Sequence, residues 1–310
     1  MRTYADGHCD TIVKLFEEKK GLFGNDGHID IGRLQKYAAP LQVFAIWLDP
    51  KYYGCAMRQT MKYLEFYYRQ IQENSELIGH VNCFSDILQN RENNKVSALL
   101  AIEGGEALEG EISVIHTYYR LGVRLMTLTW NHRNQLADGV AERGSRGGLT
   151  QFGRQVVEEM EKLGMIVDVS HLSEAGFWDV AEISNRPFIA SHSNAQAICN
   201  VPRNLSDEQL RVIAEKDGIA GINLYSPFLT TNKEAELEDV LRHIYHMLSI
   251  MGEDGIALGS DFDGIDSAPK EIANVQDVAL IFDRVEREFG KRVSQKFSSE
   301  NLLRVINQVL

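Results

Sequence analysis

Two short stretches, MIVDVSH (165–171) and PFIASH (187–192), run apolar for several residues and then stop on a histidine. Runs of this kind are read as strands buried on both faces, as in a parallel sheet. Each strand then carries a metal-capable imidazole at its C-terminal tip: His171 on one, His192 on the other. The flanking segments LTQFGRQVVEEMEKLG (149–164) and LSDEQLRVIAEKDG (205–218) have helical spacing instead. Thr150 and Ser206 stand where N-caps are expected, and Gly164 and Gly218 where C-caps are expected.

The same alternation extends along the chain. Further strands are expected at TYADGHCD (3–10), LQVFAIWL (41–48), SALLAIEGG (97–105), VRLMTLTW (123–130), GIAGINLY (218–225) and GIALGSDFD (255–263). A helical pattern, MRQTMKYLEFYYRQIQ (57–72), separates two of them. Eight strands alternating with helices predict a closed TIM (β/α)8 barrel spanning 1–310 as one domain. An open doubly wound sheet is the competing arrangement, but no GxGxxG follows the first strand.

The barrel reading explains where the polar residues fall. His8 and Asp10 end the first strand, Glu103 the third, His171 and His192 the fifth and sixth, and Asp261 the eighth. In a barrel these ends share one rim, so distance along the chain does not keep them apart. His8 and Asp10, two residues apart, face the same side of a strand and can grip one ion together. Glu103 directly follows the run ALLAI, where a carboxylate is costly to bury unless it is paired or coordinated. Each has an ordinary alternative: a core histidine, a helix-start glutamate, a turn aspartate. A lone strand-end histidine is more often a hydrogen-bonded core residue than a ligand. Five donors on one rim are not independent accidents, and they suit two ions sharing Glu103.

Two more residues complete the candidate site. Asp261, in GSDFDG, is placed to accept a proton and pass it to a leaving amine; Asp263, before Gly264, fits a turn better. Arg203, in NVPRNLSD, offers the fork that a substrate carboxylate would need.

Composition narrows the partners. The chain has 310 residues, of which 32 are Lys or Arg and 44 Asp or Glu, for a net charge of −12. That balance argues against nucleic acid or an anionic membrane as partner. The four cysteines, Cys9, Cys55, Cys83 and Cys199, lack a CxxC spacing and are expected as free thiols. No apolar signal core or membrane span is read in the sequence, so a cytoplasmic location is expected.

The ordered set DGHCD, GHIDIGRL, QVFAIWL, AIEGGEAL, LTWNHRNQLADG, GLTQFGRQVVEEMEKLGMIVDVSHLSE, IASHSNAQAICNVPRNLSD and GSDFDG resembles the membrane (renal) dipeptidase family, the M19 zinc metallopeptidases. The resemblance implies a metal-dependent hydrolase barrel with two zinc ions per chain and, commonly, a homodimer. It implies that His8 and Asp10 hold one zinc, that His171 and His192 hold the second, and that Glu103 bridges them. Asp261 matches the family's catalytic aspartate, and Arg203 the arginine that holds the substrate's C-terminal carboxylate. The animal members carry a substrate-binding histidine directly after LT, where this chain has Trp130; His132, two residues on, is the candidate replacement. Those members are also secreted and lipid-anchored, whereas this chain looks like a soluble bacterial-type member.

The resulting expectation is a dipeptidase that cleaves L-Xaa-D-Xaa as well as L,L dipeptides by attack of a metal-bridging water. The alternatives are a related amidohydrolase acting on a cyclic amide or lactone, and a binding barrel without activity.

Overall fold

The computed structural model describes residues 2–310. All eight expected strands form: β1 (Thr3–Cys9), β2 (Ala38–Trp47), β4 (Val96–Glu103), β5 (Val123–Thr127), β6 (Ile166–Asp168), β7 (Ile189–Ala190), β8 (Ile219–Ile222) and β9 (Ile256–Leu258). They pair in parallel around a ring that is closed by β2 against β4, from Leu41↔Ser97 to Trp47↔Glu103. The fold is therefore a closed TIM (β/α)8 barrel.

A ninth strand, β3 (Ile78–Val81), was not expected. Its sequence, IGHV, is four residues long and half polar, so it gives no apolar run to read. It pairs with the beginning of β4, from Ile78↔Val96 to Val81↔Leu99, whereas β5 pairs with the later part, from Leu100 to Glu103.

Inside the barrel, small and branched side chains pack together: Ala5, Val43, Ala45, Leu99, Ala101, Leu125, Ile166, Ile189, Ile219 and Ala257. The C-terminal helix Asn301–Val309 adds Leu302, Val305, Ile306 and Val309 to that cluster. It thereby closes the end opposite the rim. The outer faces of the strands pack against the surrounding helices in a second, larger apolar cluster.

Close packing in the interior sets two glycine positions. A Cβ at Gly221 or Gly259 would run into the carbonyl of Ser191, so the backbones of three neighbouring strand ends approach as only glycine permits.

Thr150 and Ser206 cap their helices as expected, accepting from Gly153 N–H at 2.9 Å and Gln209 N–H at 3.2 Å. Gly164 is the left-handed C-cap (φ 75°). Gly218 is not a cap: the helix ends at Glu215 and Asp217 takes the left-handed turn. Gly218 is instead needed because a side chain there would strike the Phe188 carbonyl.

Candidate metal centre and active site

The two strands that opened the sequence analysis are shorter than expected. β6 stops at Asp168 and β7 at Ala190, so His171 and His192 lie in the turns beyond them. The chain leaves β6 sharply, and His171 itself adopts a left-handed conformation (φ 66°). This conformation is costly for a side chain larger than glycine and tends to be kept where function requires it.

These turns aim two imidazoles at one point. The His171 and His192 Nε2 atoms are 2.9 Å apart, and lie 3.0 and 3.7 Å from Glu103 Oε1. Their tautomers follow from the opposite ring nitrogens. Ser191 Oγ donates to Asp168 Oδ2 at 2.6 Å and therefore accepts from His192 Nδ1–H at 2.7 Å. Asn131 Oδ1 lies 2.8 Å from His171 Nδ1 and, being a carbonyl oxygen, accepts from it. Both Nε2 atoms then carry lone pairs. Burial holds the two rings neutral. It pushes His171 down to about 4, aided by the Arg203 charge, and His192 well below the usual imidazole value.

Two lone pairs and a carboxylate oxygen facing one another repel unless a cation lies between them. Ligands of a tetrahedral ion with bonds of about 2.1 Å stand roughly 3.4 Å apart. The three separations here bracket that value.

On the other side of Glu103, His8 Nε2 is 3.5 Å from Glu103 Oε2 and 3.5 Å from Asp10 Oδ2. Both ring nitrogens of His8 and Asp10 Oδ1 are buried without a hydrogen-bond partner. Unpartnered buried polar atoms are rare in a folded protein, and these three fit the donor set of a cation site. Burial opposes a charge on His8, but Glu103 and Asp10 outweigh it and raise its pKa well above the usual value. Burial also opposes ionisation of Glu103, yet His8 and His171 hold it below the usual carboxylate range. Glu103 thus has one oxygen towards each group, with His171 and His192 on one side, His8 and Asp10 on the other.

Asp261 joins the second group: one ligand atom each from His8, Asp10 and Asp261 lie within 4.8 Å of one another. Its backbone is also left-handed (φ 62°), and Oδ2 accepts from Asn223 Nδ2 at 2.9 Å. Burial pushes its carboxyl up to about 7, with Asp10 and Glu103 adding to the rise and His8 opposing it. Asp168 also lies near His8 and His192, but all four of its lone-pair positions are used. It accepts from Ser170 N–H, Ser191 N–H, Thr127 Oγ and Ser191 Oγ, which makes it a brace for the rim. Asp6 has the same office on β1, accepting from Ser260 N–H and Oγ, Tyr4 OH and His8 N–H.

Arg203 is buried beside this centre. Its Nη atoms donate to Ser193 Oγ at 2.9 Å and the His192 carbonyl at 3.1 Å, while Nε has no partner. Together with His171 it lines a cavity of about 480 Å³. His132 is exposed, its ring 5.7 Å from that of Trp130, and it is the neighbouring Asn131 that reaches His171. Asn131, Asn223, Asp6, Asp168 and Ser191 were not picked out from the sequence. Each acts by a hydrogen bond to a residue distant in the chain, and a polar residue in a strand or a loop carries no local signal of that.

A (β/α)8 barrel with clustered imidazoles and carboxylates on its C-terminal rim defines a metal-dependent hydrolase. The chain matches the model of the membrane dipeptidase family (peptidase family M19) over residues 2–310, and it belongs to that family of metallo-dipeptidases. It is 33% identical to dipeptidase aclJ of Aspergillus oryzae, over 91% of this chain and 70% of that one. It is 30% identical to dipeptidase tcpJ of Claviceps purpurea, over 100% of this chain and 74% of that one. Among solved structures it resembles an M19 metallopeptidase described as dipeptidase AC, with a TM-score of 0.91 and 27% identity over 99% of this chain and 98% of that one. A metallopeptidase from Rhodobacter sphaeroides, liganded with a phosphinate mimic of L-Ala-D-Ala, has a TM-score of 0.89 and 27% identity over 100% and 99%. Among the described residues, no helix is long and apolar enough to cross a membrane.

Proposed function

We propose that the chain is a binuclear zinc dipeptidase acting on L-Xaa-D-Xaa and L,L dipeptides, with one catalytic domain over 1–310. The observation that carries this reading is the convergence of two neutral Nε2 atoms on Glu103, with the unpartnered His8 and Asp10 on its other side. His8 and Asp10 would hold one metal ion and His171 and His192 the other, with Glu103, which turns one oxygen to each pair, shared between them. When bound, two zinc ions supply an activated water and polarise the scissile carbonyl.

The protein's own groups do the rest. Asp261 takes the proton released in the attack and returns it to the departing amine, its carboxyl standing within reach of His8 and Asp10. Arg203, with Nε unpartnered, receives the substrate carboxylate. The free amino group meets Glu103. His132, exposed near Trp130, remains the candidate for a further contact on the substrate's outer side. With both termini anchored, two residues fill the space between the anchors. None of these anchors reads the second side chain, so either hand is accommodated there. A homodimer in the cytoplasm belongs to the same reading.

The test joins elemental analysis to a substrate panel. Two zinc ions per chain are expected, with Glu103→Ala losing more metal than His171→Ala. L-Ala-D-Ala should be cleaved at a rate comparable to L-Ala-L-Ala, with little or no cleavage of N-acetylated dipeptides or tripeptides. Strict L,L selectivity, or efficient cleavage of the blocked peptides, would show that something other than the two termini orients the substrate.

A further inference from the structure

Three residues beyond Glu103 lies a second buried carboxylate that the mechanism does not use. Glu106 is only 6% exposed, and its Oε1 has no hydrogen-bond partner. The influences acting on it most strongly are burial, its own backbone, Asn134, Tyr53 and Glu103, and none of these is a cation. A carboxylate taken out of water without a positive partner is expensive to keep. Burial accordingly raises its pKa.

Glu106 lies at the edge of the metal centre among aromatic and polar side chains. Its carboxyl fills the space that a side chain on Gly104 would need, which puts it one residue from Glu103. Tyr53, whose hydroxyl is also unpartnered, and Asn134 lie beside it. Trp47 stands opposite Glu103 at the tip of β2, with its indole N–H unpartnered as well. The Trp130 ring spans the gap, 5.3 Å from Trp47 and 6.3 Å from His171. Three unpartnered polar atoms thus belong to the tip of β2 and to the turns that follow β2 and β4, two directly paired strands. Tyr53 is carried by the turn Pro50–Cys55, which has no buried residue of its own. Its ring is half-buried against the main apolar cluster and stands as a fixed wall.

The geometry points to a subsite for a basic side chain on the substrate's N-terminal residue, with Glu106 as the counter-charge and the Trp47, Tyr53 and Trp130 rings as its walls. This inference rests on the dipeptidase reading above. Arg203 sits after β7, nearly across the barrel from β2 and β4, so a substrate whose carboxylate lies on Arg203 directs its amino-terminal half towards Glu106. The α-amino group, next to the scissile carbonyl, stays with Glu103. Glu106 lies beyond Glu103, with its carboxyl against Gly104, on the side where a long lysine or arginine side chain would extend. Aromatic faces beside a carboxylate suit such a cation.

The experiment compares L-Lys-L-Ala with L-norleucyl-L-Ala, which has the same chain length without the charge, using the zinc-loaded enzyme and Glu106→Gln. The wild type should favour the lysine substrate in kcat/KM by at least about tenfold, the scale of one partly desolvated charge pair. Glu106→Gln should bring the ratio close to one. A wild type with no preference for lysine overturns the inference, even if the variant does not fold. An equal loss on both substrates in the variant overturns it too, since Glu106 would then serve the α-amino group or the fold. If the wild type cleaves L-Ala-L-Ala but shows no lysine preference, only this inference fails. If it cleaves no dipeptide, the dipeptidase reading fails first.

Discussion

Asp168 and His192 are linked through a single hydroxyl: Ser191 Oγ donates to Asp168 at 2.6 Å and accepts from His192 Nδ1–H at 2.7 Å. The relay fixes the tautomer that leaves Nε2 free for a metal. Outer groups of this kind are typically worth 10–100-fold in metal affinity. Ser191→Ala should lower zinc affinity by roughly that factor, and Ser191→Thr should restore most of it. Competition with a chromophoric chelator measures both. An unchanged titration for the alanine variant would mean that the relay does not orient His192.

Asp261→Asn keeps the shape of the side chain and removes the proton acceptor. Asparagine tolerates the left-handed backbone of this position about as well as aspartate, so the fold should hold. Turnover should fall by roughly 10²–10⁴, the usual worth of a general acid–base group, while bound zinc changes little. Near-normal turnover removes Asp261 from the proton transfer.

Arg203→Ala should weaken recognition of the substrate carboxylate, and the loss should shrink for dipeptide amides, which lack that charge. Two of the arginine's donors are already engaged with Ser193 and the His192 carbonyl. Part of the loss is therefore common to acids and amides, and the diagnostic quantity is the difference between them. Equal losses on the two would make Arg203 a purely structural residue.

His243 gives the protein an acid-sensitive element away from the metal centre. It is fully buried, with Nδ1 accepting from Ala195 N–H at 3.1 Å and Nε2–H donating to the Leu229 carbonyl at 3.0 Å. Only the neutral ring can do both. Burial lowers its pKa to about 4, against the bond to Leu229, which raises it. The unfolded chain takes up this proton near 6.5 and the native protein only near 4, so stability is lost as pH falls between them. At pH 5 the loss should be about 2 kcal/mol relative to neutral pH. Urea unfolding of wild type and His243→Gln at pH 7.5 and 5.0 checks this, and the variant should show the smaller pH dependence.

Packing makes its own demand at Gly259, where a Cβ would meet the Ser191 carbonyl. Backbone offers no flexible group to move aside, so Gly259→Ala should destabilise the rim by roughly 1–3 kcal/mol, the range for overpacked cores. A lowered midpoint of thermal unfolding is the expected readout, and an unchanged one would mean that the strands can separate there without cost.

The amino-acid order alone determined the barrel and the order of its rim residues. The apolar run that ends in Glu103 is legible because burying a strand on both faces requires unbroken hydrophobicity, and a polar residue at its end breaks that pattern visibly; His8 and His192 follow shorter, mixed runs. The strand IGHV carried no such contrast and went unread, and Gly218 resembled a cap because a glycine needed for close approach looks the same in sequence as one needed for a turn. What only the tertiary structure decided is how the donors meet. The left-handed turns at His171 and Asp261 exist only in the folded backbone, and the tautomers set by Asn131 and by the Asp168–Ser191 relay, like the setting of Glu106 beside Tyr53 and Asn134, arise from contacts between residues tens of positions apart. Periodicity reports which face of an element is buried, but hydrogen-bond partners and unpaired charges are properties of the space between elements, and that space exists only once the barrel has closed.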